Sequence, residues 1–521
     1  MVSFRLKLLI TSLTAVTLTF SQLLADDLPN FEKPNVILIM ADDLGPGMLG
    51  HNGQSIVATP HIDRLAQEGM SFSNYYGNPY CAPARWSLIT GMHNGRKGSG
   101  PHTRGGILMD LDRKHQDPKA WNDAFMAVQK KGKEIPKNEV FLAQVAQEAG
   151  YNTAQFGKLD VGFLTWHSLL TRHGWDHYEG YYDHRRAHGF FPPYLWRNGE
   201  KFPLAGNTRI DCGKMSEQGN DPVGSGGETY SQDVFLKGMI EYIRDHKDER
   251  FFLYHSSQLP HGPVAVTKLH PDYATREDLT LSEKKYATMV RSLDDTVGRI
   301  MQELKTQGLD EKTIVFFSSD NGHETYYQNE DGQLPKRLWR QRKLADGSPS
   351  NLNDKKWRTS NGGDTFNGAG GRAGLKWCAL QGGVNCPMIA RWPGKIKPGS
   401  ETDLLSAHYD FMATLAEITG GKMPPKKDSL SYLPTLLGKK QAPEKSHDWV
   451  FIQSSGFDTK SVLITRKGWK LVELKNGTFH LYNILKDPLE LENVAEQQPE
   501  IVKDLTVIFQ KQLRSPRVDL E

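Results

Sequence analysis

Four polar side chains follow two short apolar runs in this chain. Asp42 and Asp43 come directly after Val36 to Met40 in "NVILIMADDLG", and Asp320 and Asn321 come after Ile314 to Phe317 in "TIVFFSSDNG". An apolar run that breaks into acids and glycine is the pattern of a buried parallel strand ending in a functional loop. One Asp-Asp or Asp-Asn pair in a turn would ordinarily cap its own backbone. Two such pairs, on strands expected side by side, make a set of hard oxygen donors suited to Ca²⁺ or Mg²⁺ rather than zinc.

The stretch "PYCAPARWSLITG" adds a different chemistry, with Cys81 ahead of Arg85. The chain has only 4 cysteines, Cys81, Cys212, Cys378 and Cys386. They are too few for a disulfide-built scaffold and allow at most one bridge if Cys81 has another duty. On its own, Cys81 reads as a buried structural thiol or half a disulfide. Lys158 in "FGK", His261 in "PHGP" and Lys376 in "GLKW" are further polar groups near the ends of expected strands, and His188 lies in "RRAHGFF" with His184 and Arg185 close by. An isolated Lys or His is usually a solvated charge or a packed ring. Their positions beyond strand ends, where open α/β sheets bind ligands, single these out.

The elements that must hold these residues are legible as an α/β pattern. "TPHIDRLAQEGM" and "VFLAQVAQEAG" space apolar residues helically, the second running through Gly150 into a strand. "FFLYHSSQLPHGP" and "CPMIARWPG" add buried strands. Strands alternating with helices predict a doubly wound, mostly parallel sheet over about residues 33–430. After about residue 430, "WVFIQ", "SVLITRKGWKLVEL" and "TFHLYNI" are short strands between turns, and "PEIVKDLTVIFQKQL" is a final amphipathic helix. Residues 431–521 therefore read as a smaller antiparallel α+β subdomain. The polar, turn-rich stretch 329–364 reads as an insertion loop beside the site or a disordered excursion.

Composition excludes several classes. The chain has 521 residues, 38% hydrophobic and 24% charged, with 49 Gly and 28 Pro, so a sizeable core with many turns is expected. Its formal net charge is +3 with no long basic run, and nothing calls for nucleic acid. At the N-terminus, Arg5 and Lys7 precede an apolar stretch that ends at Ala25 before two aspartates. Residues 1–25 therefore read as a secretory signal, for export to a periplasm or beyond the cell, without stable membrane insertion.

The string Cys-Ala-Pro-Ala-Arg, followed by Leu-Ile-Thr-Gly, closely resembles the signature of formylglycine-dependent (type I) sulfatases of the alkaline phosphatase superfamily. In that family a maturation enzyme oxidises the cysteine to formylglycine. The likeness spans most of residues 33–490, through "PNVILIMADDLG", "TPHIDRLAQEGMSF", "AGYNTAQFGK", "PHGP", "FFSSDNG" and Gly382 to Gly394. "TGMHNGRKG" and "RAHGFFPPYLWRNGE" look most like bacterial enzymes acting on sulfated carbohydrates. The resemblance implies an alkaline phosphatase-like fold and a metal, Ca²⁺ with Mg²⁺ as the alternative, held by Asp42, Asp43, Asp320, Asn321 and the modified Cys81. It further implies that Arg85 orients the formylglycine, that Lys158 and Lys376 bind sulfate oxygens, and that His261 serves as general acid at the ester oxygen.

A sulfate ester needs a nucleophile, charge stabilisation around three non-bridging oxygens and help for the leaving alkoxide. The residues above supply each. Three departures from the family pattern stand out: Leu159-Asp160 where Trp-His is frequent, Gln381 and Asn385 where Glu and Arg are common, and the altered string "DNGHETYYQ". His188 is a candidate for a compensating substrate contact. On the residues alone two other functions stay open: a phosphate or phosphonate ester hydrolase with the same nucleophile, and a non-catalytic binder of sulfated glycans.

Overall fold

The computed structural model describes residues 31–96, 105–131, 138–159, 173–210, 212, 227–327, 364–454 and 459–515. The signal segment 1–25, Asp160 and nearly all of the stretch 329–364 lie outside the described residues. The main sheet contains β1 (Asn35–Ala41), β2 (Met70–Phe72), β3 (Asn152–Lys158), β4 (His177–Tyr181), β5 (Tyr194–Arg197), β6 (Glu200–Pro203), β7 (Phe251–Ser256), β8 (Thr313–Ser319), β9 (Met388–Arg391) and β10 (Ser400–Thr402), ordered β10-β2-β9-β8-β1-β7-β3-β4-β5-β6. The central run from β8 to β4 is parallel, and β9 joins it antiparallel. This is the mostly parallel sheet that the sequence pattern implies. The predicted strand at 36–40 extends to 35–41, and that at 314–317 to 313–319.

All seven residues of β1 are buried, which explains why its sequence is an unbroken apolar run rather than an alternating one. On one face Ile37 and Ile39 share a core with Ile62 and Leu65 of α1 (Pro60–Gln67). Val290, Leu293 and Val297 of a 26-residue helix, Leu281–Thr306, join the same core. On the other face Phe316 of β8 meets Phe411 edge-on at 5.1 Å, Phe411 lying in the helix Asp410–Thr419. Helices thus cover both faces. Each fully buried apolar side chain contributes roughly 1.5–3 kcal/mol, so a central strand clamped this way holds the loop at its end firmly in place.

A helix of direct interest, α2 (Cys81–Thr90), is buried along its whole length. Pro83 falls in its first turn, where the missing N–H is tolerated. Gly91 ends it at φ 65°, donating to the Ser87 carbonyl. The second sheet holds four antiparallel strands, β11 (Trp449–Gln453), β12 (Thr459–Thr465), β13 (Trp469–Leu474) and β14 (Phe479–Asn483). Its alternation is clean. Val450, Ile452, Val462, Ile464 and Val472 face Ala379, Val384 and Leu405, while Phe451, Leu463, Leu471 and Leu481 face Leu505 and Phe509 of the last helix, Pro499–Arg514. Beside this sheet the fully buried Glu490 pairs with Lys470 at 2.8 Å and accepts the Gln381 amide at 2.7 Å.

Candidate active site

The register that pairs Met40 with Ser318 and Ala41 with Ser319 makes β1 and β8 end together, so their two acidic loops leave the sheet side by side. Asp43 takes φ 65°, a left-handed conformation uncommon outside glycine and often found where function demands it. Its amide donates to Asp320 Oδ1 at 3.1 Å, and Asn321 Nδ2 donates to Asp43 Oδ1 at 2.7 Å. Leu44 N donates to Ser319 Oγ at 3.0 Å. The two loops are therefore stitched to each other across 277 residues of sequence.

Three buried cations answer the three buried carboxylates. Arg85, one turn into α2, donates Nε to Asp320 Oδ2 at 3.0 Å and places Nη2 at 2.8 Å from the same oxygen and 3.1 Å from the Ser257 carbonyl. It also bonds the Ser256 hydroxyl at the end of β7. Lys158, the last residue of β3, donates to Asp42 Oδ2 at 2.5 Å. Lys376 donates to Asp43 Oδ2 at 2.8 Å and to His261 Nε2 at 3.1 Å. His261 Nδ1 lies 2.5 Å from the Gly262 carbonyl, which can only accept, so the proton sits on Nδ1 and Nε2 faces the cluster. None of these charges could stay in the interior without its partners.

The electrostatics follow from this pairing. Burial works against the charged form of Asp42, yet Lys158 and Arg85 outweigh it and hold the carboxyl below its usual range. Lys376 does the same for Asp43 against the same burial. Asp320 goes the other way, pushed up by burial and by the neighbouring Asp42 despite Arg85. Burial and Lys376 depress His261 to about 3, so the ring is neutral at ordinary pH. Asp42 Oδ1 and Asn321 Oδ1 are buried with no hydrogen-bond partner, and carboxylate oxygens of Asp42 and Asp320 come within 4.8 Å of each other and of the Cys81 sulfur. Oxygens left unsatisfied in an acidic cluster fit a hard divalent cation.

Asp42, Asp43, Cys81, Arg85, Lys158, His261, Asp320, Asn321 and Lys376 thus converge on one centre. His188 joins its edge by stacking on His261, with ring centroids 4.0 Å apart and planes 11° off parallel, and His184 lies 5.0 Å beyond it. Asn385 bonds the Ser73 and Tyr75 carbonyls, so it ties backbone together where a charged residue would form an ion pair. All four cysteines are free and buried, and the one bridge that the sequence allows does not form.

Tyr326 is the residue that motif reading missed. Its hydroxyl bonds Asp43 Oδ2, sits 3.0 Å from His261 Nε2 and accepts from Lys376 at 3.2 Å. Its ring lies so close to Gly262 that a Cβ there would be 2.4 Å from Cδ1. The one signal was the altered string after the second acidic loop.

Comparison with known proteins agrees with this geometry. Residues 34–421 match the sulfatase family, and residues 376–518 match the family described as N-sulphoglucosamine sulphohydrolase, C-terminal. The chain is 27% identical to an N-acetylgalactosamine-6-O-sulfatase of Bacteroides thetaiotaomicron, over 93% of this chain and 94% of that one. It is 28% identical to the mouse N-acetylgalactosamine-6-sulfatase, covering 78% of this chain and 66% of the relative. A solved structure from work on glycosaminoglycan metabolism in Bacteroides thetaiotaomicron shares the fold with a TM-score of 0.66 at 24% identity, covering 93% and 100% of the two chains. Another, in complex with a neocarrahexaose, has a TM-score of 0.67 at 21% identity, covering 94% and 96%. With a family match that runs from β1 through both acidic loops and the Cys81 helix, the chain belongs to the sulfatase family and is a sulfuric ester hydrolase.

Proposed function

We propose that this enzyme removes sulfate from a carbohydrate, with a formylglycine made from Cys81 as nucleophile and Ca²⁺, or alternatively Mg²⁺, at Asp42, Asp43, Asp320 and Asn321. The observation that carries this reading is the seating of Cys81 at the first turn of α2, against Asp42 and Asp320. Relatives named for N-acetylgalactosamine 6-sulfate make that sugar sulfate the first substrate to try. The order of residues 1–25 supports export, with a maturation enzyme acting on Cys81 along the way.

Bound at this donor set, the cation would supply Lewis-acid stabilisation of charge on a sulfate oxygen and on the nucleophile. The hydrated aldehyde would supply two hydroxyls, one to attack sulfur and one to expel sulfate afterwards. The protein's own groups do the rest. Lys158 and Lys376 bring ammonium donors to the non-bridging oxygens and neutralise the ester's charge. Arg85 holds Asp320 and the end of β7 in one geometry and keeps the start of α2 aligned with them. His261 presents Nε2 toward the ester oxygen; the resting ring carries its proton on Nδ1, so it acts as the candidate general acid after Nε2 has taken up a proton, and the stacked His188 fixes the plane of its ring.

The test is direct. Protein made together with a formylglycine-forming enzyme should show the Cys81 peptide at the aldehyde mass and should hydrolyse sulfated N-acetylgalactosamine. Cys81→Ala should fold normally and lose turnover by at least about 10³-fold. Full activity in Cys81→Ala would overturn the proposal.

A further inference from the structure

Two partly exposed aromatic side chains flank the nucleophile position and have no part in the chemistry above. Tyr80 directly precedes Cys81 as the N-cap residue of α2, and Trp377 directly follows Lys376. Their rings stack, with centroids 4.6 Å apart and planes 20° off parallel. The Trp377 amide donates to the Pro79 carbonyl at 2.6 Å, which ties the segment leading into Cys81 to the segment carrying Lys376. The Lys376 ammonium lies 5.5 Å from the Trp377 ring centroid while contacting Asp43 and His261. Aromatic surface therefore begins one side chain away from the anion-binding centre.

The backbone of Trp377 makes this arrangement informative. Its φ is 76°, a left-handed conformation that glycine adopts freely and that a bulky aromatic residue adopts only under constraint. A strained position that carries a large, partly exposed indole beside a reaction centre points to a role for that ring. The inner wall of the site is almost wholly charged or polar, which suits the sulfate but offers nothing to the carbon skeleton of a sugar. Specific sites combine a few polar groups that set orientation with apolar or aromatic surface that supplies contact area.

We propose that the Tyr80 and Trp377 pair is a stacking platform for the sugar ring that carries the sulfate. The inference rests on the reading of the substrate as a sulfated carbohydrate. A pyranose ring presents patches of C–H groups made slightly positive by the neighbouring oxygens, and these complement the negative face of an aromatic ring. Stacking there fixes the plane of the sugar next to Lys376, so that the sulfate meets the nucleophile already oriented.

The experiment uses the matured full-length enzyme and separates sugar from sulfate. The probes are a panel of sulfated N-acetylgalactosamine, galactose and glucosamine monosaccharides, 4-nitrophenyl sulfate, and inorganic sulfate as a competitive inhibitor that reads the anion pocket alone. Trp377→Ala and Tyr80→Ala should raise KM for the best sugar sulfate at least tenfold while the inhibition constant of inorganic sulfate stays within twofold. Trp377→Phe, which keeps an aromatic face, should recover most of the loss. An unchanged KM in Trp377→Ala, or equal changes in KM and in the sulfate inhibition constant, refutes the platform alone. A wild-type enzyme that cleaves the aryl sulfate but no sulfated saccharide refutes the carbohydrate reading, and the platform with it.

Discussion

Asp43 accepts from Asn321, Tyr326 and Lys376 at once, and its own amide reaches Asp320. A residue with so many partners constrains everything around it, including His261, whose Nε2 lies 3.4 Å from Asp43 Oδ2. If His261 donates a proton to the departing sugar oxygen, His261→Ala should slow a sugar sulfate far more than 4-nitrophenyl sulfate, because a phenolate leaves with little assistance. A loss at least tenfold greater on the sugar is expected, with kcat/KM on both substrates as the readout; equal losses would leave His261 a sulfate contact only. Gly262 makes a second case. The alanine methyl would collide with the Tyr326 ring, so Gly262→Ala should displace that hydroxyl, cost about 1–3 kcal/mol by overpacking and lower kcat/KM about tenfold or more. A thermal melt and a kinetic assay check both parts. The acids, Cys81, Arg85 and the two lysines were legible because each sits in a contiguous string near a strand end. Tyr326 was not, because its role depends on its approach to a histidine 65 residues away.

Among the elements, the helix Leu281–Thr306 and α1 share one buried acid. Asp294 Oδ1 accepts from the His61 and Ile62 amides at 2.9 and 2.8 Å, closing the first turn of α1, while Oδ2 is buried without a partner. Burial pushes its carboxyl up to about 7, with Asp295 adding to the rise and the Ile62 and His61 amides and Arg291 opposing it. The sign follows from linkage. Between about pH 4 and pH 7 the folded protein keeps a proton that the unfolded chain has already lost, so stability falls as pH rises through that window. Asp294→Asn should remove on the order of 4 kcal/mol of that pH dependence, read as a changed slope in a plot of denaturation midpoint against pH; an unchanged slope would contradict it. The strands β1, β7, β8 and β9 were readable as buried apolar runs. β4, β5 and β6 were not, since "HYEGY", "YLWR" and "EKFP" are short and lack a clear alternation. The long helix carries a capping box at Thr280 and Glu283, a local start signal that no chemical motif accompanies.

For the molecule as a whole, Pro34–Glu521 forms one compact unit, and the acidic cluster lies where several of its strands end. A cation bound to that cluster in the folded state alone must stabilise the entire chain by mass action. At a hundred times its dissociation constant, Ca²⁺ should contribute about 2.7 kcal/mol and raise Tm by roughly 3 °C for a chain of this size. A chelator should reverse the shift, and Asp320→Ala should abolish it. No shift at saturating Ca²⁺ or at saturating Mg²⁺ would exclude this cluster as the cation site.

The buried pairing of Glu490 with Lys470 and the Gln381 amide has a practical consequence for recombination between relatives. Glu490 follows the small sheet, yet its carboxylate anchors the backbone a few residues beyond Lys376. A chimera joined at the start of β11 would set a foreign anchor against a native lysine loop. A junction placed before Gly374 would transfer anchor and loop together, and the two family matches overlap over 376–421, immediately downstream of that junction. Parents exchanged at the later junction should give soluble enzymes with impaired sulfate binding, whereas those exchanged at the earlier one should keep it.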